Sequence, residues 1–183
     1  MATEAEEPVL VLAGAEEPAL PAPGAGSVSV LYDEIQEVRK RYPEGTRSAV
    51  MPALRLAQEH YGWLSHDAIE AVADALDLTP AYCYSIASFY DMYNLQPVGR
   101  HMVQVCTNVC CGLVNAQAVL EAFERELGVG PGETTADGEF TLRAVECLGG
   151  CSTPTIVALD HVYRQSVTPE DVPSIVQGLR NGD

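Results

Sequence analysis

Two short segments hold five of the six cysteines of this chain: Cys106-Thr107-Asn108-Val109-Cys110-Cys111 and Glu146-Cys147-Leu148-Gly149-Gly150-Cys151. Cys106 and Cys111 form a C-x4-C pair, Cys147 and Cys151 form a C-x3-C pair, and 35 residues separate the two pairs. An iron-sulfur cluster takes four thiolates, because these soft anionic ligands share the charge of iron as its oxidation state changes. The spacing therefore indicates one inorganic centre that is held by two loops.

The segments around the cysteines show strand and helix patterns. Residues 101–105 and 140–145 are predicted strands, and each runs into one of the cysteine pairs. Between them, residues 116–127 have apolar residues at helical spacing. A helix that starts just after Cys111 would direct its N–H groups and positive dipole end toward the thiolates. Gly149 and Gly150 would let the backbone fold closely around a ligand.

The carboxyl-terminal part completes a mixed sheet. Residues 155–159 and 161–163 are two further predicted strands, joined by a tight turn at Asp160. Residues 168–171 (TPED) are predicted to begin the last helix, with acidic residues in its first turn. Its inward-facing residues are Val172, Ile175, Val176 and Leu179. The order βαβ, then ββ, then α predicts a four-stranded mixed sheet flanked by helices.

Residues 31–94 have the pattern of a small bundle of four helices. The first predicted helix ends before Pro43, and its apolar positions are Leu31, Ile35, Val38 and Tyr42. Ser48, Ser65 and Thr79 are predicted N-caps of the other three helices, and Gly62 is predicted to end the second. We expect Cys83 to be a small buried residue. The cluster Phe89-Tyr90-Met92-Tyr93 is expected to pack in the core or between domains, with a subunit contact as the alternative.

Charge limits the partners. The chain carries 10 basic and 26 acidic residues, a formal net charge of −16. This argues against nucleic acid and anionic membrane surfaces as partners, since both need a basic face.

The first basic residue is Arg39, so the amino-terminal segment lacks the features of a secretory signal or transit peptide. We expect this segment to be a disordered leader. The sequence has no dinucleotide fingerprint, Walker loop or nucleophile triad.

Three other uses of the cysteines stay open from spacing alone. Structural zinc also takes four cysteines, and its usual spacing of C-x2–4-C is one that the x4 and x3 pairs fit only loosely. Disulfides conflict with the adjacent Cys110-Cys111 pair and with the lack of a secretion signal. Catalytic thiol chemistry usually uses C-x2-C, which is absent here. The spacing therefore favours an iron-sulfur site over these alternatives.

Six motifs occur in an order typical of one family. They are Arg41-Tyr42-Pro43, residues 57–63 (AQEHYGW), residues 88–99 (SFYDMYNLQPVG), Cys106-Thr107, residues 132–135 (GETT) and residues 146–151 (ECLGGC). With them, the region from about Leu31 to Asp171 resembles the NuoE-type [2Fe-2S] subunit family of NADH:quinone oxidoreductase, the respiratory complex I.

The resemblance implies an α+β protein in which a small N-terminal helical bundle precedes a thioredoxin-like [2Fe-2S] ferredoxin domain. The expected boundaries are 1–27 for the leader, 28–96 for the bundle and 97–183 for the cluster domain. It also implies one [2Fe-2S] cluster, with Cys106, Cys111, Cys147 and Cys151 as its ligands. Family members usually have one cysteine at the end of the first group, and matching Cys106-Thr107 assigns that ligand to Cys111. A ligand exchange with the adjacent Cys110 stays open.

The resemblance further implies that the chain exchanges single electrons with the flavin (FMN) of a partner subunit that oxidises NADH. The chain would then be part of an enzyme without an NADH site of its own, and other peripheral-arm subunits would be further partners. The assembly would be cytoplasmic, and only other chains would attach it to the inner membrane. NAD-linked hydrogenases, including bifurcating ones, and formate dehydrogenases stay open as hosts. A zinc-stabilised binding module and a thiol oxidoreductase are the alternatives from other functional classes.

Overall fold

The computed structural model describes residues 25–43 and 45–182, and side chains from residue 30 onward. Most of the expected leader lies outside these residues, and α1 begins at Ala25, earlier than predicted. The helices are α1 (Ala25–Arg39), α2 (Val50–Tyr61), α3 (His66–Leu76), α4 (Pro80–Phe89), α5 (Val109–Leu113), α6 (Ala116–Leu127) and α7 (Val172–Asn181). The strands are β1 (His101–Cys106), β2 (Phe140–Val145), β3 (Val157–Leu159) and β4 (Val162–Arg164). In this described part of the chain, no helix is both long and apolar enough to cross a bilayer.

Helices α1 to α4 pack around one hydrophobic core. The inward positions predicted for α3 are confirmed, because Ile69, Val72, Ala73 and Leu76 are all buried. The Ser65 hydroxyl accepts a hydrogen bond from Ala68 N at 3.1 Å, which confirms the predicted N-cap. Thr79 caps α4 in the same way, with Tyr82 N as the donor at 3.3 Å. Cys83 is fully buried in this core, as expected.

The predicted start of α2 is wrong. Ser48 lies inside a 3-10 turn, Thr46–Ala49, which continues directly into α2. The N-cap is Ala49, whose backbone is already helical and whose side chain makes no cap hydrogen bond. A serine that caps a helix has an extended backbone conformation. Ser48 cannot adopt it, because the residues before α2 already form a 3-10 turn. The predicted end at Gly62 is confirmed, since this residue has a φ of 78°.

The first helix and the segment after α4 also differ from the prediction. Helix α1 ends at Arg39, so Tyr42 lies beyond it and is exposed. In the aromatic cluster, Tyr93 is buried and its hydroxyl donates to Met51 O at 2.8 Å. Phe89, however, is 79% exposed, and Tyr90 and Met92 are exposed too. Packing in the core is therefore wrong for these three, because α4 ends at Phe89 and the chain turns outward; the subunit contact stays a prediction.

The sheet has the predicted mixed topology, with the strand order β2-β1-β3-β4. Strand β1 is parallel to β2 and antiparallel to β3, and β3 forms a hairpin with β4. The hairpin turns at Asp160 and His161, both with positive φ, which matches the twist of a tight two-residue turn. Strand β3 is two residues shorter at its start than predicted, and β4 lies one residue further along the chain.

A second core lies between one face of this sheet and helices α6 and α7. Helix α6 and strand β2 have the predicted bounds. Helix α7, however, begins at Val172 rather than at Thr168. The Asp171 carboxylate accepts hydrogen bonds from Thr168 N and Thr168 Oγ1, both at 2.9 Å. These bonds close a turn in front of the helix, so the acidic residues do not lie in its first turn.

Candidate metal centre

The parallel pairing of β1 and β2 brings the two cysteine loops to the same edge of the sheet. Cys106, the last residue of β1, is in register with Val145, the last residue of β2. Thr107 N then donates to Val145 O at 3.0 Å, which ties the start of the first loop to β2. Cys147 follows Val145 by two residues. Both loops therefore leave the sheet side by side.

The first loop holds two of its cysteines in the protein interior. Cys106 is 3% exposed and its N–H donates to Ile156 O at 3.1 Å. Cys111 is 2% exposed and lies in a small cluster with Cys106, Ala116 and Ile156. Cys110, its neighbour, is half-buried. The loop thus directs Cys106 and Cys111 toward the same buried spot.

The first cysteine loop contains a short helix that was not predicted. Cys111 lies inside the short helix α5, which begins at Val109 under the cap of the Asn108 side chain, and Val109 N to Asn108 Oδ1 is 2.8 Å. The long helix α6 begins only at Ala116, after Asn115 has taken a left-handed conformation. Helix α6 therefore starts at its predicted residue, five residues after Cys111, and the helical turn of α5 precedes it.

The second loop lies against the same isoleucine. Gly149 has a φ of 76°, a conformation that favours glycine, and its N–H donates to Cys147 Sγ at 3.3 Å. A Cβ on Gly150 would lie only 2.6 Å from Ile156 Cγ1. The two glycines therefore allow the close folding that the sequence predicted. Cys147 and Cys151 are exposed, in contrast to the buried pair in the first loop.

The thiols of both loops influence one another. Burial raises the pKa of the Cys111 thiol, a backbone hydrogen bond with Ile156 lowers it, and the neighbouring Cys106 and Cys151 raise it. The pKa of Cys151 is raised first by hydrogen bonding with the Cys110 thiol, then by burial, and then by Cys147 and Cys106. Together with the contacts that both loops make to Ile156, these effects indicate that thiols of the two loops lie near one another.

The candidate donors of the two loops are all cysteine thiols. Within residues 25–43 and 45–182, no three His, Cys, Asp or Glu side chains are grouped around one point where a single ion could bind. A binuclear iron-sulfur cluster takes four thiolates, two on each iron. Cys106, Cys111, Cys147 and Cys151 supply that donor chemistry as two pairs from two loops.

A sequence profile of one family, described as the thioredoxin-like [2Fe-2S] ferredoxin, matches residues 35–180 of this chain. The chain belongs to that family. The cofactor of the family is the [2Fe-2S] cluster, so the cofactor that the resemblance implied is confirmed.

Two relatives of this thioredoxin-like [2Fe-2S] ferredoxin are named as subunits of NADH-quinone oxidoreductase. The relative from Rickettsia bellii is 40% identical over 148 residues, which cover 80% of this chain and 89% of the relative. The relative from Thermus thermophilus is 40% identical over 152 residues, which cover 82% of this chain and 84% of the relative. They confirm the resemblance to the NuoE-type subunit family.

A solved structure confirms the fold. An NAD⁺-reducing [NiFe]-hydrogenase in its air-oxidised state superposes with a TM-score of 0.65 at 17% identity. The match covers 73% of this chain and 23% of the hydrogenase chain. At this identity the likeness concerns the fold alone, and with the family match it confirms the predicted α+β class.

Sequence reasoning missed the central residue of the site. Ile156 contacts both loops, but it lies in an apolar segment whose pattern predicts only a β-strand. Nothing in the sequence indicates that this isoleucine contacts the cysteine loops. The position of Cys110 beside Cys151 was also missed, because adjacency to Cys111 in the sequence does not reveal which loop the thiol faces. The exposed apolar side chains of α5 did have a signal, namely aliphatic residues on both sides of a cysteine pair.

Proposed function

We propose that this chain holds one [2Fe-2S] cluster through Cys106, Cys111, Cys147 and Cys151. The observation that carries the proposal is the meeting of the two cysteine loops at Ile156, where a buried and an exposed pair of thiols lie together. Cys111 is favoured over Cys110 because it is buried with Cys106, Ala116 and Ile156.

We propose further that the chain is the electron-transfer subunit of an NADH:quinone oxidoreductase, since its relatives are subunits of that complex. Its electron partner would be the FMN of the subunit that oxidises NADH, and the other peripheral-arm subunits would also be its neighbours. The chain would have no NADH site of its own, and only other chains would attach it to the membrane.

The residues of the chain perform three tasks in this proposal. When bound, the cluster accepts and donates one electron at a time. Ile156 and Leu148 pack beside the buried thiols and keep water from that side. The N–H of Gly149 stabilises negative charge on the Cys147 sulfur, and such donors tune a metal site. Exposure of Cys147 and Cys151 leaves one side of the site open to a partner.

The proposal keeps the predicted division into a helical domain, residues 28–96, and a cluster domain, residues 97–183. Two separate sets of buried residues support it, one between Leu31 and Tyr93 and one between Val103 and Val176.

Adjacent cysteines provide the test of the ligand assignment. Cys111→Ser should abolish or distort the EPR signal of the reduced protein, because serine replaces a buried thiolate ligand. Cys110→Ser, the matched control, should leave the signal almost unchanged. The reverse result would move the ligand by one position, and a normal signal in both variants would contradict the assignment of this loop.

A further inference from the structure

Arg143 is the one cationic side chain on the two strands that lead to the cysteine loops. Strands β1 and β2 together contain no other lysine or arginine. The segments 102–120 and 147–159, which carry all four proposed ligands, contain no Asp, Glu, Lys or Arg, although these residues make up 20% of the chain. The charged residues nearest to the second loop in the sequence are therefore Arg143 and the exposed Glu146.

Strand pairing places Arg143 on the same face of the sheet as Cys106. Side chains alternate between the two faces of a strand, and those of Val103 and Leu142 lie in the core that α6 and α7 cover. Arg143 is opposite Gln104 in the register, so both belong to the other face. Cys106 belongs to it as well, two residues further along β1. Strand spacing puts the Cα atoms of Arg143 and Cys106 about 8 Å apart.

The guanidinium of Arg143 is half-buried, and no direct partner neutralises it. Arg55, Arg100 and Arg180 each form an ion pair with a glutamate, whereas Arg143 forms none with any residue that the structure describes. Burial lowers the pKa of this guanidinium, and the nearby Asp91 carboxylate raises it. An arginine nevertheless stays protonated in a folded protein. Arg143 is therefore a permanent positive charge that water screens only in part.

A positive charge beside an iron-sulfur site favours the reduced state, because reduction adds one negative charge. Net charge and solvent exposure are among the factors that set the potential of such a cluster. On the face that Arg143 shares with Cys106, the proposed ligand is 3% exposed and its neighbour Ile156 is 1% exposed. Little water is present there to weaken the attraction.

We infer that Arg143 sets the reduction potential of this site, and that its charge shifts the one-electron equilibrium toward the reduced form. The inference rests on the proposed function, since only a chain that holds the cluster through these two loops has such an equilibrium. It makes the chain a better electron acceptor through a residue that lies outside both cysteine loops. A purely structural role, in which Arg143 only attracts Asp91 to the sheet, would change stability and leave the potential unchanged.

A redox titration of the EPR signal of the cluster-loaded full chain tests the inference. Arg143→Gln should lower the equilibrium constant of reduction about threefold to tenfold, which is about 30–60 mV at about 59 mV per tenfold change. This range corresponds to unit charges about 10 Å apart with partial screening. Arg143→Lys keeps the charge and should stay within about twofold of the wild type.

Arg125→Gln is the matched control. It removes the same charge from an exposed position in the last turn of α6, about 14 Å along the helix axis from Ala116. This distance exceeds the screening length of about 10 Å at 0.1 M salt, so the equilibrium constant should change less than about twofold. Iron content and EPR line shape show whether each variant holds an intact cluster. Arg143→Met replaces Arg143→Gln if that variant loses it.

Every other outcome overturns the inference. An unchanged or higher potential in Arg143→Gln would show that the charge has no such effect. An equal decrease in Arg143→Lys would assign the effect to the shape of the guanidinium, and an equal decrease in Arg125→Gln would assign it to the net charge of the chain. Loss of the cluster in both Arg143→Gln and Arg143→Met would show a structural role. A wild-type chain without a cluster would overturn the proposed function as well.

Discussion

Gly150→Ala places the most direct strain on the contact between the two cysteine loops. The added Cβ would lie 2.6 Å from Ile156 Cγ1 and 2.7 Å from Ile156 Cδ1. Ordinary contacts between carbon atoms are about 3.5–4.0 Å, so the loop or the isoleucine must move by about 1 Å. Ile156 is fully buried against Cys106 and Cys111 and has little room. Overpacking of this kind costs about 1–3 kcal/mol, which lowers the unfolding midpoint by roughly 2–12 °C.

The assay is thermal unfolding of the cluster-loaded protein, followed by circular dichroism at one fixed scan rate. Gly112→Ala is the matched control, because its added Cβ would meet Thr107 O at 3.7 Å, an ordinary contact. Ile156→Ala removes both clashing atoms and leaves the isoleucine Cβ at 3.7 Å. Adding Gly150→Ala to that variant should therefore lower the midpoint much less than adding it to the wild type. Equal midpoints for Gly150→Ala and Gly112→Ala would refute the account of the loop contact.

Two further predictions concern the helical core and the turn before α7. Tyr93→Phe removes the hydrogen bond to Met51 O and should lower the free energy of unfolding in urea by about 0.5–1.5 kcal/mol, whereas Tyr84→Phe, on an exposed ring, should leave it unchanged. The hydrogen bonds from Thr168 hold the pKa of Asp171 below its usual value of 3.8, so the carboxylate stabilises the fold above about pH 4 and loses this effect in acid. The stability advantage of the wild type over Asp171→Asn should therefore shrink as the pH falls below 3.8, and an advantage that grows in acid would contradict the turn geometry.

Local signals in the sequence predicted the fold where the structure depends on local interactions. The bounds of α6 followed from a strong helical period, and Ser65 and Thr79 act as caps because each needs only the next three residues. The prediction of Ser48 as an N-cap was wrong because that role depends on the backbone conformation in which the chain enters α2. The prediction that Phe89 packs in the core was wrong because an aromatic side chain suits a protein core and a subunit contact equally well. The position at which α4 ends decides whether the side chain is buried, and the sequence did not show it.

For the site, the sequence predicted which two loops meet but not the residue at which they meet. The parallel pairing of β1 and β2 follows from the βαβ order, and it brings the loops after Cys106 and Val145 together. The contact at Ile156 was not predictable, because it depends on how the segment before β3 crosses beneath both loops.

Metal and sulfide analysis of the full chain, purified without oxygen, tests the central claim most directly. Four thiolates that hold one binuclear cluster predict about two irons and about two acid-labile sulfides per chain. A chain that contains about one zinc ion and no sulfide would contradict the claim.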